Sequence, residues 1–381
     1  MRLPHGSVAA LADFSEDRAV AMSKSRTEPS PQSYLRPEIA ALAGYVPGEQ
    51  PTDPRVVKLN TNENPYPPSA AVKQAIADAC ERLHLYPDPS AREVRERVGR
   101  LYDVDPAGVI VGNGSDELLS MLMRAVIASG DAVAYGTPTY SLYDTLVALQ
   151  AGRAIRIPYG HDYAIPRDLF SVDARMLVVC NPNAPSGTSV PRSALEELAR
   201  ARRDVLVIVD EAYADFADEN ATSMGAQHPN VVVLRTLSKS YSLAGLRVGI
   251  GITTPGLAAE LNKVKDSYNV SRLAQAGAAA ALDDQASMLA HVAQVRATRA
   301  RLVRELAQLG YVVPPSQTNF VLARRPGESQ LPVKEALQRS GVLVRWFTEL
   351  PDALRITVGT DAEIDRLLAE LKSLQTTVRP A

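Results

Sequence analysis

The sequence predicts an α/β protein: a mostly parallel seven-stranded sheet covered by helices, joined to a second, smaller α/β region. Three observations carry this. Seven short β-rich runs lie between residues 109 and 252 and alternate with amphipathic stretches. Several of these runs are apolar throughout instead of alternating, as strands buried on both faces are. After about residue 285 the rhythm changes to one long helical stretch, three strand-like runs and a last helix.

Taken in order, residues 1–30 mix Ser, Glu, Arg and Pro and end in the breaker cluster Glu28-Pro29-Ser30-Pro31, which reads as a flexible arm. The seven runs are Val109–Gly112, Ala132–Tyr135, Ala154–Pro158, Met176–Cys180, Val205–Asp210, Val231–Arg235 and Val248–Ile252. Between them Asp116–Ser129, Tyr140–Ala151 and Arg192–Arg203 carry helical periodicity, and the Ala-rich stretch Ala274–Ala281 reads as a tightly packed helix. The smaller region follows with a helix over 286–309, strands at Asn319–Ala323, Val342–Phe347 and Leu354–Val358, and a helix over 361–374.

The chain has 381 residues, enough for a sizeable core. A net charge of −2, with no dense basic cluster, argues against a nucleic-acid partner. The two cysteines, Cys80 and Cys180, read as buried free thiols in a reducing compartment. The five histidines show no metal-ligand spacing, so no metal is expected. No apolar run reaches membrane-spanning length and the first residues lack signal-peptide order. The expectation is a soluble cytoplasmic protein.

Lys239 is the most informative residue. It lies between Ser238 and Ser240 in the segment 236–247, which directly follows the run Val231–Arg235, with Gly245 and Arg247 downstream. A lysine there makes sense if its amine forms a Schiff base with an aldehyde cofactor while hydroxyls and Arg247 hold a phosphate, which is what pyridoxal phosphate demands. Other strand ends ask for the same group. Gly112-Asn113-Gly114-Ser115-Asp116-Glu117 offers free N–H groups of Ser115 and Asp116 at a helix start, as an anion site or as a plain glycine turn. Asp210 ends an apolar strand and needs a partner, which a protonated pyridine nitrogen or a helix start could supply. Tyr213, three residues on, is placed to donate to a ring oxygen. Tyr140 is placed to stack on a flat ring or to fill a core. The loop Asn181–Gly187 follows another strand end, where open α/β sheets bind ligands.

Together these segments resemble the fold-type-I pyridoxal phosphate enzymes, the aspartate aminotransferase superfamily, and within it the histidinol-phosphate aminotransferases. The resemblance covers about residues 34–375 and includes Leu59-Asn60-Thr61-Asn62-Glu63-Asn64-Pro65-Tyr66-Pro67, Tyr86-Pro87-Asp88 and Leu354–Thr360. It implies a small domain of residues 31–60 and 286–381 and a large cofactor domain of residues 61–285. Lys239 is then the Schiff-base lysine, Asp210 the partner of the ring nitrogen, Tyr213 the contact of the ring oxygen and Tyr140 the stacking ring. Ser115, Asp116, Ser238 and Arg247 hold the cofactor phosphate, and Tyr86 reaches a partner subunit's phosphate in a homodimer with shared sites. Arg345 and Arg355 bind the substrate anion, with Tyr45 and Asn319 nearby. The family's asparagine before the second proline of the 181–187 loop is Ala184 here, so Tyr213 holds the ring oxygen alone, or Asn183 or a water stands in. The expected reaction is transfer of an amino group from histidinol phosphate to a 2-oxo acid, 2-oxoglutarate, in histidine biosynthesis. A general or aromatic aminotransferase and a threonine-phosphate decarboxylase are the alternatives, with a non-catalytic regulator the remote one.

Overall fold

The computed structural model describes residues 30–42 and 48–378. Nearly all of the arm read at residues 1–30, and Tyr45, lie outside them. The N-terminal unit, which ends at Ala41, shows a 3-10 turn at Pro31–Tyr34 and a single helical turn at Pro37–Ala40. Each opens on a proline, whose fixed φ suits a first helical position.

The unit from Leu42 onward carries two sheets. Its strands are β1 (Val57–Leu59), β2 (Val109–Gly112), β3 (Ala132–Thr137), β4 (Arg153–Pro158), β5 (Met176–Cys180), β6 (Leu206–Asp210), β7 (Val231–Thr236), β8 (Gly249–Ile252), β9 (Phe320–Arg324), β10 (Val342–Phe347) and β11 (Leu350–Thr357). The seven-stranded sheet has the order β2-β8-β7-β6-β5-β3-β4. Its neighbours pair in parallel except β8, which runs against both β2 and β7. Every residue of β5 and β7 is buried, which explains why β5 reads as an unbroken apolar run and β7 as apolar through Leu234. The edge strand β4 is more exposed and carries Arg153 and Arg156, a composition that discourages further pairing.

The second sheet has the order β1-β10-β11-β9, drawing one strand from before residue 60 and three from after residue 319. β10 and β11 form a tight antiparallel hairpin, so the last strand starts at Leu350, earlier than the predicted Leu354. β1 is only three residues long and was not predicted; it exists because it pairs in parallel with β10.

The helices follow the predicted pattern. Ser115–Val126 buries Leu118, Leu119 and Leu122 on one face, and the Ala-rich stretch is the helix Arg272–Asp283. One apolar cluster runs from Val111 and Ile250 on the large sheet through Val295 to Val321 and Ile356 on the small one. Cys180 is buried as expected, but Cys80 is exposed: it closes the helix Ala70–Cys80, which buries only Val72. Strand ends of β5, β6 and β7 converge at one edge of the large sheet, and the loops that follow them build the site.

Candidate active site

The turn after β7 carries Lys239, and its backbone is clamped from two sides. Asn64 donates through Nδ2 to the carbonyls of Lys239 (3.0 Å) and Ser240 (3.1 Å). Ser240 donates to Asp215, which pairs with Arg235 of β7, and Arg235 also bonds Glu211 at 3.0 Å in a buried ion pair. Breaking such a buried pair from one side is costly, so the network holds the turn in one geometry. Nζ of the half-buried Lys239 lies 3.4 Å from the carbonyl of Thr61 and 5.7 Å from the centre of the Tyr213 ring. Burial, then the Arg355 cation, lowers the amine pKa to about 8, against the opposing pull of Glu63 and Asp116. A usable fraction is therefore neutral near physiological pH, as a nucleophilic amine requires.

Asp210 closes β6 and is buried. Its Oδ2 accepts the Tyr143 hydroxyl at 2.6 Å and its Oδ1 accepts the Ala212 N–H at 3.2 Å. Burial pushes its pKa up to about 6, although the Tyr143 hydrogen bond pulls the other way. A carboxyl in this state gains from a cationic N–H brought beside it.

The anion cradle lies where β2 passes into the helix Ser115–Val126. Gly114 takes φ +85°, turning the chain so that the first N–H groups of the helix are unspent. Arg247, with φ +55°, donates to Ser238 Oγ (3.3 Å) and to Asp116 Oδ2 (3.2 Å). A Cβ at Gly114 would lie 2.5 Å from the Arg247 guanidinium, and one at Gly249 would lie 2.3 Å from the backbone of Gly114. Only glycine lets β8, this turn and Arg247 come so close. Tyr140 stands at the rim, its hydroxyl 3.4 Å from Asp116 and its ring edge-on to Tyr143.

On the small sheet Arg345 of β10 and Arg355 of β11 are direct cross-strand partners. Both guanidinium groups lie against the Phe347 ring, at 5.6 and 5.5 Å, and Arg355 donates to the carbonyl of Asn60 at 2.9 Å. Asn319, just before β9, is fully buried; its amide donates to the Asn62 carbonyl at 2.9 Å and its Oδ1 has no partner among the described residues.

A buried carboxyl, a depressed lysine, a tyrosine and a glycine-lined cradle fit pyridoxal phosphate: Lys239 for its aldehyde, Asp210 for its ring nitrogen, Ser115, Asp116, Ser238 and Arg247 for its phosphate. Comparison with known proteins agrees. The family model "Aminotransferase class I and II" matches residues 54–371. The chain belongs to the class I and II aminotransferase family. This aminotransferase is 46% identical over 347 residues to histidinol-phosphate aminotransferase 1 of Nostoc sp., covering 90% of the chain and 98% of that protein. It is 45% identical to the histidinol-phosphate aminotransferase of Syntrophotalea carbinolica, covering 89% and 99%. The crystal structure of histidinol-phosphate aminotransferase from Sinorhizobium meliloti in complex with pyridoxal-5'-phosphate superposes with a TM-score of 0.80 at 28% identity, covering 90% of this chain and 98% of that one.

Within the aminotransferase, Lys239, Asp210, Tyr213, Ser238 and Arg247 gather at the sheet edge with Ser115, Asp116 and Tyr140. Tyr86 does not join them: it is 77% exposed and stacks on Tyr268 at 4.6 Å. Sequence reasoning passed over Tyr143, Asn62, Asn64 and the Arg235–Glu211 pair. Tyr143 sits three positions after Tyr140, at the start of the helix Leu142–Leu149, and in the predicted helical stretch Tyr140–Ala151 that spacing was available as a signal. The Asn183 amide is spent on its own loop and on the turn after β3, donating to Ser186 Oγ (2.8 Å) and Pro138 O (3.2 Å).

Proposed function

We propose that this chain is a histidinol-phosphate:2-oxoglutarate aminotransferase acting in histidine biosynthesis. The observation that carries the substrate class is the cross-strand pair Arg345 and Arg355. Two guanidinium groups on one face match a phosphate dianion in charge and in donors, where a monoanionic carboxylate needs one. The relatives named above support the same reading.

The cofactor is pyridoxal phosphate, which supplies an electron sink for the charge left when a proton leaves the substrate carbon. Lys239 would hold its aldehyde. Nζ of Lys239, with a lowered pKa, would take the proton from the substrate carbon that bears the amine. Asp210 would keep the ring nitrogen protonated, Tyr213 would donate to the ring oxygen, and Tyr140 would contact the ring. Ser115, Asp116, Ser238 and Arg247 would hold the phosphate, and with it the orientation of the substrate carbon toward Nζ. The reading also assigns substrate contact to Asn319 and to Tyr45, which lies outside the described residues.

The reading includes a large cofactor domain of residues 61–285, a small domain of residues 31–60 and 286–381 that brings the arginine pair, and a homodimer in the cytoplasm. What supports the dimer is the surface around Tyr86, where Leu83, Leu85 and Tyr268 are also exposed. Apolar side chains clustered in this way mark an interaction surface. Among the described residues no helix is long and apolar enough to cross a membrane.

A half-reaction panel tests the function. The holoenzyme is mixed, without any 2-oxo acid, with histidinol phosphate, threonine phosphate, phenylalanine or glutamate, and the cofactor spectrum is followed. Histidinol phosphate should convert the cofactor to its amine form fastest among the donors. Conversion by phenylalanine with none by histidinol phosphate would replace the reading with a general aminotransferase. Release of carbon dioxide from threonine phosphate would replace it with a decarboxylase.

A further inference from the structure

We infer that Asn62 is a positioning residue: its side-chain amide aims the hydroxyl proton of Tyr213 at the ring oxygen of the cofactor. The inference rests on the pyridoxal phosphate reading above and extends it to a residue outside the strand-end motifs.

Every polar group of Asn62 is fixed. Its backbone N–H donates to Thr357 Oγ1 at 3.0 Å, and its carbonyl accepts the Asn319 amide at 2.9 Å. The Thr357 hydroxyl, accepting that N–H, gives its own proton to Asn62 Oδ1 at 3.1 Å. The NH2 end of the amide is left facing Tyr213, and it donates to the Tyr213 hydroxyl at 3.0 Å. A hydroxyl has one proton to give and two lone pairs to accept with. Since Tyr213 accepts from Asn62, its proton is available outward, and among the described residues no protein acceptor is bonded to it. The Tyr213 ring is held edge-on by Phe320 at 5.0 Å, and Lys239 Nζ lies over the ring. A ring held on Lys239 therefore lies within reach of that proton.

Two further observations point to the amide itself. Asn62 takes φ +57° and is buried. Glycine meets such a backbone without strain, and asparagine is among the few other residues that tolerate it. Backbone strain of this kind persists where the side chain is needed. The loop that follows β5 offers no replacement: Ala184 has only a methyl group, and the Asn183 amide is spent on Pro138 and Ser186.

A proton donated to the ring oxygen draws negative charge away from the neighbouring Schiff-base N–H. That N–H then loses its proton at lower pH. The test titrates the cofactor absorbance of the holoenzyme against pH. Asn62→Gly, which keeps the left-handed backbone without strain, should move the midpoint upward by about half a unit to one unit, the weight of one lost hydrogen bond. Asn62→Asp, similar in shape but able only to accept, should also move it upward, because its carboxylate takes the Tyr213 proton. On a Tyr213→Phe background Asn62→Gly should add nothing, since the two residues act through one hydrogen bond. A midpoint unchanged by Asn62→Gly, or shifted as much with Phe at 213 as with Tyr, would overturn the inference. A wild-type protein with no titrating Schiff-base absorbance would overturn both the inference and the cofactor reading beneath it; a normal wild-type titration with an inert Asn62 would overturn the inference alone.

Discussion

Tyr143 donates its hydroxyl to Oδ2 of Asp210 at 2.6 Å, and both groups are buried. Burial raises the carboxyl pKa to about 6 even though this bond pulls it down. Removing the donor must raise it further. Tyr143→Phe should weaken cofactor binding roughly tenfold, the lower end for a hydrogen bond to a charged group. Equilibrium dialysis of pyridoxal phosphate against the variant checks this.

The same carboxyl sets a pH dependence. Below its pKa Asp210 is neutral and gives up its ion pair with a cationic ring nitrogen, so cofactor affinity should fall as pH drops through about 6. In Tyr143→Phe the fall should begin at higher pH. Affinity flat from pH 5 to 8 in wild type would contradict the role given to Asp210.

The strand ends were legible in the sequence because each chemical residue follows a strand that begins as an apolar run. Lys239 after β7, Asp210 at the end of β6 and Gly112–Ser115 after β2 all announce themselves by an abrupt change from apolar to polar residues. Tyr143 and Asn62 did not, because each acts through a partner far along the chain: Asp210 is 67 residues from Tyr143, and Tyr213 is 151 residues from Asn62. No local pattern encodes such a pairing. The exposure of Cys80 was missed for a related reason, since its surroundings depend on how a helix packs and not on its neighbours in sequence.

The arginine pair gives a substrate prediction. Arg345→Ala should lower kcat/KM for histidinol phosphate by about ten- to a hundredfold, the loss of one charge-assisted contact. Glutamate, with a monoanionic carboxylate at that end, should suffer less. Equal losses for both donors in steady-state assays would mean that Arg345 does not read the phosphate.

Close packing at the phosphate turn separates two glycines of β8. A Cβ at Gly249 would sit 2.3 Å from the Gly114 backbone, whereas one at Gly251 meets nothing closer than 3.7 Å. Gly249→Ala should cost about 1–3 kcal/mol of stability and most of the cofactor affinity, and Gly251→Ala neither. Thermal melts with and without pyridoxal phosphate distinguish the two.

Shared sites in a homodimer predict complementation. Lys239→Ala and Tyr86→Phe protomers are mixed and allowed to exchange. Each mixed dimer should then hold one site with both defects and one with neither. Activity should exceed the sum of the two parents. No gain after proven exchange would place Tyr86 outside the site.

The central claim is that the Lys239 amine carries the cofactor, and borohydride trapping tests it most directly. The holoenzyme is reduced, digested and sequenced by mass spectrometry. The account predicts a single pyridoxyl label, on the peptide Thr236-Leu237-Ser238-Lys239-Ser240, and none on any peptide of Lys239→Ala. A label on another lysine, or an unlabelled wild-type chain, would contradict it.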